Sequence, residues 1–222
     1  PFQQFAFGCM TRSKKVTYEN LRLRDSSFTD KVLNEFLETS NSKLPTSNSA
    51  AFTPFKLREL ELSNRIVMAP MGQYSATDGL VSDWHLVHYG SRATGGVGLI
   101  ITEMTAISET GRITEGCAGI YNAEQLNQWK KITDFIHNNT ETKIGIQLGH
   151  SGRKGATKKP WEGNGPMETP WDLISASPIP FNENFAIPKE MSLEDMAEIK
   201  AQFVQAAKNA DEAGFDMIEL QA

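Results

Sequence analysis

Cysteine is almost missing from this chain: Cys9 and Cys117 are the only two in 222 residues. With no CxxC pair and no Cys/His cluster, neither a disulfide framework nor a structural zinc site is expected. Long apolar runs are lacking too. None approaches the roughly 18 residues needed to cross a bilayer, and no signal-peptide pattern opens the chain. Basic charge is short, with 22 Lys and Arg against 27 Asp and Glu and a formal net charge of −5. Nucleic acid and membrane are therefore not expected partners, and a cytoplasmic setting is the default. Histidine is scarce. His85 and His88 sit three apart on one expected helix, but no third ligand lies near them, so a surface or packing role is expected and no metal site is assigned.

What the chain does have is core-forming material, 39% hydrophobic residues, as a folded globular protein requires. It is unevenly organised. Residues 1–38 carry Phe2, Phe5 and Phe7, a basic patch at Arg12–Lys15, and a helical pattern with Val32, Leu33, Phe36 and Leu37 on its apolar face. Beginning at Pro1, they read as the tail of an upstream domain. Residues 39–51, T-S-N-S-K-L-P-T-S-N-S-A-A, read as a linker. From Phe52 a domain begins, with a short hairpin at Phe52–Leu62.

One grammar then recurs: an apolar strand, a loop with polar groups, an amphipathic helix. Strands are expected at Arg65–Met71, Val97–Met104, Lys143–His150 and Phe215–Ala222. The second is apolar on both faces, as a parallel strand covered by helices would be. Helices are expected over Asp83–Thr94, from Asn122 to Asn139, and from Ser192 to Gly214. In the second, Leu126, Trp129, Ile132 and Ile136 share one face; in the third, Met196, Ile199, Phe203, Ala206 and Ala210 form the buried stripe. Asn122/Gln125 and Ser192/Asp195 have capping-box spacing. Residues 155–190 form a long irregular stretch, the kind that is usually functional. An α/β fold with parallel strands follows. No Gly-x-Gly-x-x-Gly opens the first helix, so a barrel is preferred to a dinucleotide fold. About four β/α units are present, the N-terminal half of a TIM (β/α)8 barrel, and the chain reads as a fragment.

In such a barrel the chemistry sits at the C-terminal ends of the strands. Those ends supply Pro70-Met71-Gly72 with Tyr74, then Glu103-Met104, then Gln147 with His150 and Arg153. An isoalloxazine needs an apolar wall, backbone donors and an amide at its pyrimidine edge. Pro70-Met71-Gly72 can supply wall and backbone, and Gln147 can donate and accept in one plane; equally, Gln147 fits an ordinary polar residue of the barrel interior. His150 and Arg153 suit an anionic group or a loop-ordering hydrogen-bond pair. Glu103 is either a general base or a buried acid satisfied by Arg65 or a backbone donor. Trp161 and Trp171 fit a substrate entrance or loop anchors. A Schiff-base aldolase is disfavoured, because Lys154, on a loop, is the one lysine near a strand's C-terminal end.

These residues fall in motifs. N-R-I-V-M-A-P-M at Asn64–Met71, H-Y-G-S-R-A at His88–Ala93, G-L-I-I-T-E at Gly98–Glu103 and G-R-I-T at Gly111–Thr114 resemble the Old Yellow Enzyme (NADH:flavin oxidoreductase) family. So do I-Q-L-G-H-S-G-R-K at Ile146–Lys154, S-A-S-P-I-P at Ser175–Pro180 and A-G-F-D-M-I-E-L at Ala213–Leu220, all in family order across residues 52–222. The resemblance implies an FMN-binding barrel in which NADH or NADPH reduces the flavin, and hydride passes on to an activated alkene. By position it implies that Ala69, Pro70, Met71, Gly72, Met104 and Gln147 contact FMN and that Tyr74 contacts substrate. Gly72 stands where one branch of the family has a redox-tuning cysteine. Gln221 stands where the family usually has a substrate-binding histidine, and takes that catalytic position here. F-Q-Q-F-A-F and T-R-S-K-K-V-T-Y-E-N-L-R-L-R-D resemble the end of the monooxygenase half of bifunctional salicylyl-CoA or anthraniloyl-CoA hydroxylases. That implies an FAD domain upstream and a small-molecule substrate, an aromatic CoA thioester, whose anionic part Arg153 or Lys154 could meet. The competing reading is a non-catalytic half-barrel or assembly module. The 222-residue chain by itself is expected to hold FMN poorly and, through exposed strand edges, to be open to homo-oligomer formation.

Overall fold

The computed structural model describes residues 22–31 and 50–221. The opening aromatic and basic stretches, the helix expected around Val32–Leu37, the linker up to residue 49 and Ala222 lie outside the described residues. The chain divides into two compact units, Pro1–Arg65 and Ile66–Ala222.

In the first unit, residues 26–31 are helical, and the Asp25 carboxylate caps the turn by accepting from the Phe28 N–H at 2.9 Å. The expected hairpin is present. Strand β1 (Phe55–Leu57) pairs antiparallel with β2 (Leu60–Leu62), and Arg58 takes a positive φ of 53° in the two-residue turn, as such turns require. The Arg65 guanidinium donates to Thr53 Oγ1 and to the Pro54 carbonyl and lies over the Phe55 ring.

The second unit is built on a parallel sheet whose strands lie in chain order, β3 (Val67–Met68), β4 (Leu99–Ala106), β5 (Lys143–Gly149) and β8 (Met217–Leu220). Between them run α1 (Asp83–Thr94), α2 (Ala123–Asn139) and α3 (Leu193–Glu212). The long stretch before α3 holds a single 3-10 turn at Pro160–Glu162, an isolated antiparallel bridge between Thr157 and Pro166, and a short parallel pair, β6 (Ile174–Ser175) with β7 (Lys189–Glu190).

Helix limits match the sequence expectation closely, because caps are local. Asn122 accepts from the Gln125 N–H at 2.9 Å. Its capping box is only half formed, since the Gln125 side chain turns to the Tyr121 N–H and the Asp78 carbonyl. The Ser192/Asp195 box closes in both directions. Lys189 and the Ser192 N–H hold the Asp195 carboxyl down at about 2. Strand limits differ. The strand expected over Arg65–Met71 pairs only at Val67–Met68, and the chain leaves the sheet before Pro70, which has no N–H for a ladder. β4 starts and ends two residues later than expected, because pairing continues through Met104, Thr105 and Ala106 to Gly149. β5 stops at Gly149, before His150. β8 is shorter than Phe215–Ala222, because the Phe215 N–H bonds back to Ala210 at the end of α3.

One face of the sheet is dry. Ile100, Ile144, Ile146 and Leu148 have no exposed surface, and they pack under Tyr89 and Ala93 of α1, Leu126, Trp129, Ile132 and Ile136 of α2, and Ala206 and Ala210 of α3. Trp129 sits at the centre. Its indole N–H donates to the Gly119 carbonyl at 3.1 Å, and its ring meets Tyr89 and Phe215. One apolar pattern is corrected. Met196, expected in the buried stripe of α3, is 46% exposed, because that helix meets the core only from Ile199 onward. In α1 the outward residues are Trp84 and Val87, and the buried face carries His85 and His88.

Deleting a fully buried sheet side chain should show where the stability lies. Ile146→Ala is expected to cost about 2–5 kcal/mol, and Val87→Ala, on the outer face of α1, less than about 0.5 kcal/mol. Urea denaturation of the two variants measures the difference.

Candidate functional site

Because the four strands are parallel, their C-terminal ends open to one side. The register there has an irregularity with a clear effect. From Ile101 to Met104, β4 advances three residues while β5 advances two, from Gly145 to Gln147. This bulge re-aims one side chain, and the residue it turns into the layer beneath α1 is Glu103, 1% exposed. The carboxylate accepts from the Gln73 N–H at 2.8 Å and from the Tyr89 hydroxyl at 3.2 Å. The Tyr89 hydroxyl in turn accepts from the Glu103 N–H at 3.1 Å. His85 Nε2 stands 3.4 Å from the carboxylate. Since His85 Nδ1 accepts from the Ser82 N–H, Nε2 carries the proton and faces the acid electrostatically, without hydrogen-bond geometry. Burial and the Glu103 charge push the Tyr89 phenol well above its usual range, so it stays a donor. Of the two roles open to Glu103 in the sequence, this is the buried acid, satisfied by a backbone donor.

That bond fixes the loop after β3. Ala69, Met71 and Gly72 are exposed along it. The Gln73 side chain donates to the Met71 carbonyl and accepts from the Trp84 indole. Tyr74 has a φ of 51°, a left-handed backbone that is costly for an aromatic residue. Two glycines shape its place. A Cβ at Gly116 would stand 2.3 Å from the Tyr74 carbonyl oxygen, and one at Gly72 would stand 3.0 Å from the Tyr74 ring. The phenol therefore folds back over Gly72, with its ring edge-on to Trp161. Burial raises the Tyr74 pKa, with Cys117 and Glu103 adding to the shift, so the hydroxyl remains a donor at neutral pH.

The other face of the sheet, away from the dry core, carries a row in register: Met104 beside Gln147 beside Glu219. Gln147 is 8% exposed, and its side-chain nitrogen donates to the Glu219 carboxylate at 2.6 Å. Glycines flatten this face. A Cβ at Gly149 would meet Met104 Cγ at 2.8 Å, and one at Gly145 would meet Met217 Cε at 2.9 Å, so both methionines lie across bare backbone. Sequence reading did not single out Glu219 or Met217. The two-residue alternation of M-I-E-L does place both on one face, and only the strand register brings that face to Gln147.

Beyond β5 the side chains are committed differently. Arg153 donates to Ser175 and Ser177, tying down the loop, and Lys154 lies over the Phe181 ring. Trp171 anchors the same stretch through the Thr110 carbonyl. His150 accepts from the Gly152 N–H, and burial lowers its pKa. It shares a largely apolar cavity of about 420 Å³ with Ser175, Phe203, Leu220 and the exposed Gln221.

Two outcomes follow for the site. Tyr89→Phe removes a donor from Glu103 and the acceptor of the Glu103 N–H, and should destabilise the chain by about 1–3 kcal/mol in urea melts. His88 and His150 are both held below the usual 6.5, with burial the largest cause. The unfolded chain therefore binds more protons below about pH 6.5. The urea midpoint should be flat above that pH and fall on acidification through it, and His150→Asn should remove part of the fall.

Residues 50–222 match the NADH:flavin oxidoreductase / NADH oxidase family. An NADPH dehydrogenase of Listeria monocytogenes is 43% identical over 176 residues, 78% of this chain and 48% of that protein, and one of Listeria welshimeri is 42% identical over the same span. Among solved structures, an Old Yellow Enzyme from Pichia sp. AKU4542 superimposes with a TM-score of 0.68 at 30% identity, covering 79% of this chain and 46% of that one. Morphinone reductase gives 0.66 at 29% identity, covering 78% and 48%. The chain spans about half the length of the curated relatives it matches. With the parallel sheet in chain order and the Met104–Gln147 row on its open face, the chain belongs to the NADH:flavin oxidoreductase / NADH oxidase family, which has the TIM-type α/β barrel and uses FMN with NADH or NADPH as reductant.

Proposed function

We propose that the second unit is four consecutive strands of a (β/α)8 barrel with the three helices that join them, and that it supplies one wall of the FMN site of an NAD(P)H-dependent oxidoreductase acting on an activated alkene. The observation that carries this reading is the Gln147 amide, nearly buried and oriented by Glu219 in the open-face row. The surroundings suit a flavin. A flat heteroaromatic ring with an imide edge needs an apolar platform, and Met104 lying across Gly149 offers one. It also needs approachable backbone, which the exposed strip at Ala69, Met71 and Gly72 provides, and a planar donor–acceptor pair, which is what a primary amide is. Pro70 stiffens that strip. When bound, FMN would carry hydride from the nicotinamide to the substrate.

The chain's own residues would do the rest. Ala69, Pro70, Met71, Gly72, Met104 and Gln147 would hold the flavin. Tyr74, kept protonated, would donate a hydrogen bond to a carbonyl of the substrate, and Gln221 would supply an amide donor in place of an imidazole. Arg153 could meet an anionic substrate group only by giving up Ser175 and Ser177. The substrate we favour is an aromatic acyl-CoA derivative. Residues 1–38 then close an upstream FAD monooxygenase domain and residues 39–51 form the joining linker, in a soluble, cytoplasmic protein.

A second reading, a module for assembly that holds no flavin, is favoured by Ile218 and Leu220 on β8, which are 39% and 66% exposed. FMN titrated into the 1–222 chain and followed by flavin fluorescence separates the two. The flavin reading expects weak, saturable quenching that Gln147→Ala removes, whereas the assembly reading expects none. Where FMN binds, anaerobic bleaching by NADH or NADPH and reoxidation by an α,β-unsaturated ketone test the reaction class.

A further inference from the structure

The amide of Gln147 has two faces that its own strand does not distinguish. Rotated by half a turn, it exchanges its oxygen and nitrogen with little change in shape. What distinguishes them is Glu219, whose carboxylate receives the Gln147 nitrogen at 2.6 Å. An ionised carboxylate can only accept, so the amide must offer it nitrogen rather than oxygen. The bond is short and charge-assisted, the stronger class of hydrogen bond. Glu219 is itself well fixed. It is the register partner of Gln147 on β8, and that strand is held at its ends by the Asp216 N–H on the Ile144 carbonyl and the Gln221 N–H on the Leu148 carbonyl. A group presented from a strand is placed more firmly than one on a loop.

We propose that Glu219 is a positioning residue for Gln147. It holds the amide in the one orientation that offers its carbonyl oxygen and second N–H to the imide edge of a flavin. The inference rests on the flavin reading above, but it assigns a role to a residue that binds no ligand itself. Glu219→Gln should release the orientation, since two amides can exchange donor and acceptor, while Glu219→Asp keeps a carboxylate.

The test has two arms on the 1–222 chain. The first needs no flavin: the side-chain amide resonances of Gln147, assigned by comparison with Gln147→Ala, are followed on acidification. They should move with ionisation of the facing carboxyl in the wild type and in Glu219→Asp, and should lose that response in Glu219→Gln. The second arm titrates FMN against a flavin methylated at N3, which lacks the imide proton. The wild type should prefer FMN. Glu219→Gln should weaken FMN about tenfold or more and narrow the preference, and Glu219→Asp should recover part of both. The proposal is overturned if the amide response persists in Glu219→Gln, or if that variant binds FMN like the wild type while Gln147→Ala does not. If the wild type shows the amide response yet binds neither flavin, the flavin reading falls and the pairing stands as structural only.

Discussion

A buried charge is tolerated only where donors surround it, and Glu103 gathers its partners from separate parts of the chain. Gln73 comes from the loop after β3, and Tyr89 and His85 come from α1. Taking a carboxylate out of water costs several kcal/mol unless such partners are in place. The bulge of β4, the docking of α1 and the path of the loop therefore require one another. The exposed strip at Ala69–Gly72 inherits its shape from that arrangement, so the loop facing the open side of the sheet is set from beneath by an acid that touches nothing on that side.

The sheet divides its labour by alternation. Along K-I-G-I-Q-L-G of β5, Ile144, Ile146 and Leu148 enter the dry core, while Gly145, Gln147 and Gly149 face the other way. One face supplies stability through apolar burial. The other is nearly flat and carries methionine sulfur, an amide and a carboxylate. Two glycines in a strand weaken it on intrinsic grounds, and the close approach of Met104 and Met217 is what their absent side chains permit.

How much of this was legible in the sequence depends on distance along the chain. The limits of α1, α2 and α3 and the stripe Leu126, Trp129, Ile132, Ile136 could be read directly, because caps and 3.6-residue periodicity are local. Strand limits could not, since pairing depends on a partner tens of residues away, and β3 shrinks to two residues for that reason. Met196 fitted the period but not the packing, because periodicity does not say where a helix runs past its neighbours. The motif run around Gln147 identified the family and placed that residue at a strand's end. It could not show Glu219 beside it, as that contact exists only once β5 and β8 are in register. The two readings of Glu103 were likewise inseparable before the bulge was seen.

Tyr74 and Gly116 have a consequence beyond this one chain. The tyrosine keeps an unfavourable backbone conformation, and its carbonyl oxygen lies where any β-carbon at position 116 would have to go. Neither position can drift independently: a side chain at 116 expels the loop, and a loop that straightens at 74 no longer needs glycine at 116. The two sites should thus behave as one evolutionary unit, and homologues that have lost the glycine should also have rebuilt the turn that presents the phenol.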